Sequence, residues 1–304
     1  MKLILANNQT EKFKNFYSEL ARDSEIDFDY SSYSDLLFIF KSGTDKSIEV
    51  INTATDKNLS DYDGVYVNGY LNTYDTAASV ALCCKAFGVP YVNKEFDNPV
   101  SLSKLSMNVK LNAGDVLTPY SVAGSNKAIK YAIENSLISS DYPMVLKRAD
   151  ADRGIDNFKT TGNEETLSLL QNSDPDSIWF LQEYIENTGY YLMTFYNGIP
   201  KFSIYRDLLE RPDGNQQKAH MYKPKGGTNA SLVSIDELPK SVVDECSKAV
   251  YVMNRQIASV DCIYSKTSDK TYVLEVNYNP QLVTIETFKE IRVKAFLENL
   301  KEIK

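Results

Sequence analysis

Acidic residues inside an apolar strand pair are the feature that most constrains what this chain can fold into. Residues 259–264 and 271–277 are rich in β-branched and aromatic side chains, and a short polar turn separates them, which predicts two paired strands. Asp261 lies in the first strand, and Glu275 and Asn277 lie in the second. Because side chains alternate along a strand, Glu275 and Asn277 share one face, where Asp261 is placed to meet them across the pair.

This set of two carboxylates and one amide oxygen predicts a site for a hard cation. Oxygen-only ligands suit Mg²⁺, above all where the ion also holds substrate phosphates. The alternative is a solvated acidic face, which two acids on a strand pair commonly form. Apolar neighbours favour the metal site, because a buried carboxylate without a partner is costly. These neighbours are Val260, Ile263, Val273, Leu274 and Val276.

Composition indicates a soluble globular protein with two or three lobes. The 304 residues are 43% hydrophobic and 24% charged, which is enough apolar material for a core. The net charge is -8 and no basic run stands out, so a general nucleic-acid binder is not expected. No apolar run approaches the length of a membrane span, and the run at residues 1–6 is too short for a signal sequence. A cytoplasmic location is therefore expected.

Histidine and cysteine usage narrows the chemistry further. His220 is the single histidine, which excludes a histidine-rich metal site. The cysteines show no zinc-ligand spacing, so we expect reduced and mostly buried thiols. They are Cys83, Cys84, Cys246 and Cys262.

The first part of the chain alternates strands with helices, which predicts a parallel, Rossmann-like α/β lobe. The predicted strands are 2–6, 36–40, 65–67 and 91–93, and the predicted helices are 11–20 and 73–87. Gly88 follows the second helix and Pro90 comes two residues later, a common helix end. No Gly-x-Gly-x-x-Gly turn is present, so dinucleotide binding has no support.

The rest of the chain predicts two α+β lobes. The second lobe combines helices at 102–112, 126–137 and 164–170 with an antiparallel sheet of strands at 142–148, 155–159 and 178–185. The third combines a hairpin (190–196 and 200–205, joined by Asn197-Gly198), a helix at 239–255, the acidic strand pair and a final helix at 284–303. That helix is expected to turn Ile285, Phe288, Ile291, Phe296, Leu300 and Ile303 inward. The lobes would span residues 1–98, 99–185 and 186–304.

Several side chains outside the acidic pair could bind a nucleotide. Lys147 ends an apolar strand and Lys104 lies in a helix, where each could meet a phosphate or simply be solvated. Arg206 follows a strand and could face a phosphate or a substrate carboxylate. Alternatively, it could form a surface ion pair with Asp207, which would add little stability. The segment from Gln182 through Glu183 and Tyr184 to Ile185 places an acid in an apolar strand. Glu183 could accept hydrogen bonds from ribose hydroxyls or an adenine amino group, or it could simply face solvent.

Taken in order, these segments resemble the ATP-grasp superfamily, specifically its RimK-like branch of carboxylate–amine ligases, which includes glutathione synthase. Residues 101–105 and 143–147 are similar to the helix and strand that carry the two nucleotide lysines, here Lys104 and Lys147. Residues 180–185 resemble the strand that contacts adenine and ribose. Residues 226–231, with Asn229, are similar to a glycine-containing loop near the phosphates. The acidic strand pair matches the metal-ligand strands.

The resemblance implies an ATP-grasp fold, in which an α/β Rossmann-like lobe is followed by two α+β lobes that clasp ATP. It also implies a reaction in which a carboxylate attacks the γ-phosphate of ATP, giving an acyl phosphate and ADP, and an amine then displaces phosphate. In that scheme Asp261, Glu275 and Asn277 hold Mg²⁺, or Mn²⁺ as an alternative. Lys104 and Lys147 neutralise phosphates, and Arg206 and Lys147 are the catalytic cations.

The implied partners are small-molecule or peptide acids and amines, with no nucleic acid and no membrane, and a homo-oligomer is left open. Two alternatives also stay open. One is a nucleotide-binding protein on this fold that does not ligate. The other is a ligase that modifies a peptide or protein partner.

Overall fold

The computed structural model describes residues 1–6, 11–24, 26–41, 47–69, 73–97, 104–138, 143–149, 157–171, 173–174, 177–207, 230–277 and 288–302. In these ranges the chain forms four β-sheets flanked by α-helices. No helix in them is both long and apolar enough to cross a membrane.

A parallel sheet forms the centre of the N-terminal part. Its strands are β1 (Lys2–Ala6), β2 (Phe28–Ser32), β6 (Gly64–Asn68) and β7 (Tyr91–Val92), in the order β2-β1-β6-β7. The helices are α1 (Glu11–Asp23) and α2 (Tyr74–Phe87). Leu3 and Leu5 pack with α2, whereas Ile4 packs with α1, so the alternation of β1 places one helix on each face. This confirms the predicted Rossmann-like lobe, and Gly88 ends α2 in the left-handed conformation (φ 71°).

The predicted strand at 36–40 exists but does not belong to the parallel sheet. It is β3 (Leu36–Lys41), which pairs antiparallel with β4 (Ser47–Asn52), and β4 pairs with β5 (Lys57–Asn58). Only the short 3-10 turn Tyr33–Asp35 separates β2 from β3. A parallel neighbour needs a crossover of a dozen or more residues, so this connection starts a separate sheet.

The central part is an antiparallel sheet, as the sequence predicts. Its strands are β8 (Ser121–Ser125), β9 (Met144–Arg148), β10 (Asn157–Thr160) and β11 (Ile178–Glu183), in the order β10-β9-β11-β8. Helices α4 (Asn126–Glu134) and α5 (Asn163–Gln171) cover one face around Trp179. Helix α3 (Lys104–Ala113) instead packs Met107 and Leu111 into the core of the C-terminal part. The division at residues 98 and 185 stays a prediction.

The C-terminal part is a five-stranded antiparallel sheet. Its strands are β12 (Gly189–Tyr196), β13 (Ile199–Asp207), β14 (Ala230–Val233), β15 (Ile257–Ser265) and β16 (Lys270–Asn277), in the order β14-β13-β12-β15-β16. Helices α6 (Lys240–Met253) and α7 (Lys289–Glu302) pack against it. The predicted hairpin turn is confirmed, with φ of 50° at Asn197 and 76° at Gly198.

The inward face of α7 differs in part from the predicted one. Phe296 and Leu300 are fully buried, as expected, but Ile291 is 37% exposed. The neighbouring Arg292 is buried in its place, at 2% exposed, because the helix is rotated to bring Ala295 and Phe296 into the core. Ile285 and Ile303 lie outside the described residues. Phe288, which precedes the helix, is partly buried against this core.

The four cysteines are free and buried, as predicted. The Sγ atoms of Cys246 and Cys262 lie 3.4 Å apart in the core between α6 and β15. Burial raises the pKa of the Cys84 thiol to about 12, so this thiol stays protonated at neutral pH.

A buried ion pair joins the N-terminal and C-terminal parts. Glu95 lies in the short 3-10 helix Lys94–Asp97, and Arg255 follows α6. Glu95 is 4% exposed and Arg255 is 5% exposed, with 3.9 Å between Oε1 and Nε. Burial raises the pKa of Glu95 to about 7, although the charge of Arg255 acts in the opposite direction. Glu95 therefore takes up a proton in the folded state more readily than an exposed glutamate.

Glu95→Gln is expected to weaken the pH dependence of stability. A raised folded-state pKa adds stability at acid pH, and that stability is lost as the pH rises through about 7. From about pH 5.5 to about pH 8 the loss from Glu95 is about 2 kcal/mol. Urea unfolding at both pH values should show this loss in the wild-type chain and not in Glu95→Gln. Glu134→Gln, on the surface of α4, is the control and should lose as much stability as wild type does. If Glu95→Gln also loses as much as wild type between the two pH values, Glu95 is not the group responsible.

Candidate active site

The acidic strand pair forms as its sequence predicts. Asp261 on β15 lies directly opposite Glu275 on β16, and Asn277 lies opposite Ser259. Asn277 Nδ2 donates a hydrogen bond to Asp261 Oδ2 at 3.3 Å. A β-bulge follows Asp261, between the Asp261 and Cys262 pairings. Bulges change the direction in which side chains point, and here the result is a group of two carboxylates and one amide on one sheet face.

Asp261 is the buried member of this group. It is 2% exposed, whereas Glu275 and Asn277 are half-buried. Burial and then the negative charge of Glu275 raise the pKa of Asp261 to about 8, and the charge of Arg206 opposes the shift. Two carboxylates this close create a concentration of negative potential at the end of β16. That environment favours a cation.

The donor set fits a Mg²⁺ ion. Asp261 Oδ1 is buried and has no hydrogen-bond partner among the described residues, so its lone pairs are available. Within those residues no group of three or more His, Cys, Asp or Glu side chains is gathered for a metal. Two carboxylates and an amide are nevertheless a suitable set for Mg²⁺, which usually keeps several waters and binds substrate phosphates.

Arg206 acts on Asp261 through its charge and is held by a residue that the sequence did not single out. It is 7% exposed, at the end of β13, and its Nη1 donates to the Tyr190 hydroxyl at 3.3 Å. Tyr190 and Arg206 are register partners, and the charge of Asp261 is among the causes that raise the pKa of Tyr190. Arg206 Nε has no hydrogen-bond partner among the described residues. The guanidinium can therefore still receive an anion.

A second buried arginine lies near Arg206. Arg292 of α7 is 2% exposed, and its pKa is lowered to about 10, mainly by burial and then by the positive charge of Arg206. Sequence reasoning missed this residue because it assigned the inward position to Ile291. The positive charges of the two arginines act on one another.

Lys147 lies in the central sheet with its side chain half-buried. Its Nζ donates to Gln182 Oε1 at 2.6 Å, and Gln182 Nε2 donates to Ser121 Oγ at 2.9 Å. These contacts join the three adjacent strands β9, β11 and β8. Gln182 is 1% exposed, so its amide is fixed on both sides. The ammonium is consequently held in one place rather than free to move with solvent.

The charge of Lys147 is coupled to both of the other predicted parts of the site. Partial withdrawal from water lowers the pKa of Lys147 to about 8, Glu275 acts to raise it, and Lys104 acts to lower it. Lys104 is the first described residue of α3, and its side chain is half-buried. The structure thus brings the two lysines and the acidic pair together, although they come from a helix and two different sheets.

The remaining predicted nucleotide residues occupy different environments. Glu183 has an exposed side chain, and its backbone N–H donates to the Tyr120 carbonyl. Tyr184 is half-buried, with Lys159 Nζ 3.7 Å from its ring centre. Ile185 is buried against Leu274. Strand alternation explains the contrast between buried Gln182 and exposed Glu183.

Two further residues named in the sequence analysis, Asn229 and His220, fall outside the described residues. Asn229 as a nucleotide ligand stays a prediction. Among the contacts that sequence reasoning missed, Tyr190 could not have been found from the hairpin turn. The Asn-Gly turn alone would place it opposite Tyr205, and the β-bulge between Thr194 and Phe195 shifts it to Arg206. Ser121 offered no signal either.

Comparisons with known proteins identify the fold. No protein-family model matches the sequence, and no curated protein matches it. Among solved structures, a D-alanine–D-alanine ligase from Bacillus anthracis is 14% identical, with a TM-score of 0.65 over 100% of this chain and 96% of that one. The ATP-grasp ligase PsnB, complexed with a minimal precursor, Mg and ADP, is 12% identical, with a TM-score of 0.66 over 100% and 97%. The macrocyclase MdnC from Microcystis aeruginosa MRC, bound with precursor peptide MdnA, is 12% identical, with a TM-score of 0.64 over 98% and 99%.

The chain has the ATP-grasp fold. The similarity extends over nearly the whole length of this chain and of each of these structures. Within this ATP-grasp fold, Lys147 comes from the central sheet and Glu275 from the C-terminal sheet, and their charges interact across the space between the two. The predicted fold class is confirmed. The roles of the individual residues stay predictions.

Proposed function

We propose that this chain is an ATP-dependent, RimK-like ligase. It activates a carboxylate as an acyl phosphate with release of ADP, and joins the acid to an amine in a peptide or amide bond. One observation supports this proposal above the others. The Lys147–Gln182 pair of the central sheet and the Asp261–Glu275 pair of the C-terminal sheet are electrostatically coupled. A nucleoside triphosphate needs cations that bind its phosphates and oxygen ligands that hold its Mg²⁺, and the two pairs supply these from opposite sheets.

The lysines act on the phosphates. Lys147 is fixed by Gln182 and partly withdrawn from water, so its interaction with a phosphate oxygen is stronger than that of a solvated lysine. Lys104 approaches the same point from α3. Positioning and charge neutralisation, rather than a strong base, are the main demands of phosphoryl transfer. The residues of the site match those demands.

Asp261, Glu275 and Asn277 are the residues that would hold Mg²⁺, with Mn²⁺ as an alternative ion. When bound, the metal neutralises charge on the β- and γ-phosphates. The protein fixes the position of its ligands. Asn277 orients Asp261 by the hydrogen bond to Oδ2, and Asp261 Oδ1 remains available.

Arg206 would receive the transferring group or the acyl phosphate. Its Nη1 is anchored by Tyr190, and its Nε still has donor capacity, so it can bind an anion without rearranging. The segment from Gln182 to Ile185 would seat the adenosine, and Asn229 would contact the nucleotide. No strong base is needed, because the amine attacks an already activated carbonyl group.

A peptide-modifying ligase is the second candidate. Two structural neighbours, PsnB and MdnC, are complexed with a precursor or a precursor peptide. The D-alanine–D-alanine ligase is instead named for two amino acids. Both kinds of acceptor use the same activation step, so they differ only in the amine and the acid that this chain selects.

The test is a screen for ADP and phosphate release. Purified chain, ATP and Mg²⁺ are incubated with panels of amino acids and of short peptides, and products are identified by mass spectrometry. Release that depends on both an acid and an amine supports the ligase, and the panel that responds decides between the two candidates. Tight ATP binding without substrate-dependent ADP release across both panels would favour the non-ligating alternative.

Nucleotide affinity is expected to fall as the pH rises through about 8. The pKa of free Lys147 is about 8, and a phosphate binds its charged form, so binding above that pH requires proton uptake. Asp261 ionises over the same pH range, so the effect of Lys147 is the difference between wild type and Lys147→Met. Calorimetric titration with a non-hydrolysable ATP analogue should show affinity in the wild type falling about tenfold more than in the variant between about pH 7 and about pH 9. Equal slopes in the two proteins would show that another group is responsible.

A further inference from the structure

A second cleft lies away from the nucleotide site, between the N-terminal and C-terminal parts. Its volume is about 320 Å³, at the lower end of the range for small-molecule sites. One wall is the end of α2 and the strand β7, and the other is the β12–β13 turn and α7. None of the residues that line it belongs to the proposed ligase machinery.

A buried amide lines this cleft. Asn299 of α7 is 2% exposed, and neither its Oδ1 nor its Nδ2 has a hydrogen-bond partner among the described residues. A buried amide without partners is costly, and native proteins rarely keep one without a use. It offers one donor and one acceptor side by side. The complementary ligand group is another amide, which offers an acceptor and a donor in the opposite sense.

The strand at the cleft wall presents a second amide surface. β7 is the outer strand of its sheet. The Val65 N–H donates to the Pro90 carbonyl, and Val65 pairs with Tyr91. This parallel pattern directs the backbone N–H and C=O of Tyr91 away from β6, towards the outer edge. Tyr91 lines the cleft, so a peptide-like group there could bond to backbone on one side and to Asn299 on the other.

The rim carries charges of both signs. Lys94 is exposed and lines the cleft. Glu302 also lines it, and its Oε2 accepts a hydrogen bond from Asn197 Nδ2 at 3.0 Å, which holds the carboxylate in position. A ligand with one positive and one negative end, and an amide between them, matches this arrangement.

We propose that this cleft binds a short zwitterionic peptide of dipeptide size. Its central amide pairs with Asn299, its carboxylate lies towards Lys94, and its ammonium lies towards Glu302. The site is distinct from the nucleotide cleft and joins two parts of the chain. The inference does not depend on the reaction proposed above.

Binding of glycylglycine in the absence of ATP tests the proposal. 5-Aminopentanoate is the matched probe, because it has the same chain length and the same two charges but lacks the amide. Titration calorimetry or protein NMR should detect glycylglycine with a Kd on the order of 1 mM and 5-aminopentanoate at least about tenfold more weakly. Equal binding of the two probes, or no glycylglycine binding up to roughly 50 mM, would overturn the proposal.

Variants locate the binding. Asn299→Leu should weaken glycylglycine about tenfold or more and should keep or raise thermal stability, because it removes an unpaired buried amide. Lys94→Met, a surface change, should weaken binding even if Asn299→Leu does not fold. Glu298→Gln, exposed on the same helix, is the control and should bind as wild type does. Unchanged affinity in both Asn299→Leu and Lys94→Met would exclude this cleft as the site.

Discussion

Glu275→Gln is expected to reduce substrate-dependent ADP release by at least about a hundredfold. Glutamine keeps the shape of the side chain and removes the charge opposite Asp261. Metal stabilisation of charge in phosphoryl transfer is worth several kcal/mol, and each 1.4 kcal/mol or so is about tenfold in rate. The fold should remain intact, because Glu275 is half-buried and its negative charge opposes the ionisation of Asp261.

The measurement is a coupled assay for ADP over a range of Mg²⁺ concentrations, with circular dichroism to check the fold. The apparent Mg²⁺ affinity should fall together with the rate. Asp269→Asn, on the turn of the same strand pair, makes the same acid-to-amide change on an exposed side chain and should keep wild-type activity. If Glu275→Gln retains Mg²⁺-dependent turnover, the strand pair is not the metal site.

The strand pair itself could be predicted from the sequence because its signals are local. Alternation fixes which residues share a face, and a short polar turn fixes the partner strand. Continued from the turn without a break, the ladder of the two strands would place Asp261 opposite Leu274, because Cys262 lies opposite Val273. The β-bulge after Asp261 brings Glu275 there instead, and it was not predictable, since an extra residue in one strand leaves no mark in the composition.

The sheet of β3, β4 and β5 shows where local reasoning fails. Residues 36–41 have a clear strand pattern, but pattern alone does not say which sheet a strand joins. The deciding fact is the length of the connection after β2, where Tyr33–Asp35 leaves no room for a crossover helix. β2 itself was missed because its sequence, Phe-Asp-Tyr-Ser-Ser, is polar at alternate positions and short.

The contacts of the site depend on register between distant segments. Sequence reasoning placed Lys147 and Gln182 on separate strands, but their hydrogen bond requires that β9 and β11 be neighbours. The same holds for Tyr190 and Arg206. The phase of α7, which buries Arg292 and exposes Ile291, depends on packing against two lobes at once. A single helical periodicity does not contain that information.

Lys147→Met is expected to raise the apparent KM for ATP by about tenfold to a hundredfold. A hydrogen bond to a charged group contributes about 1.5–3 kcal/mol, and Lys147 is held in position by Gln182 before any nucleotide arrives. Methionine fills a similar volume without charge, so the strand should fold normally. The loss should be larger than for a surface lysine, because the ammonium is partly withdrawn from water.

Initial rates over a range of ATP concentrations, together with calorimetric titration of an ATP analogue, separate this effect from a loss of chemistry. A higher KM with a modest change in kcat means that Lys147 binds the phosphates equally in the ground and transition states, whereas a fall in kcat assigns it to the transferring group. Lys127→Met, exposed on α4, should leave both constants unchanged. Gln182→Leu should raise KM by a smaller factor, because it frees the ammonium without removing its charge. Unaltered ATP affinity in Lys147→Met would mean that the Lys147–Gln182 pair serves only the packing of the central sheet, and that the phosphates bind elsewhere.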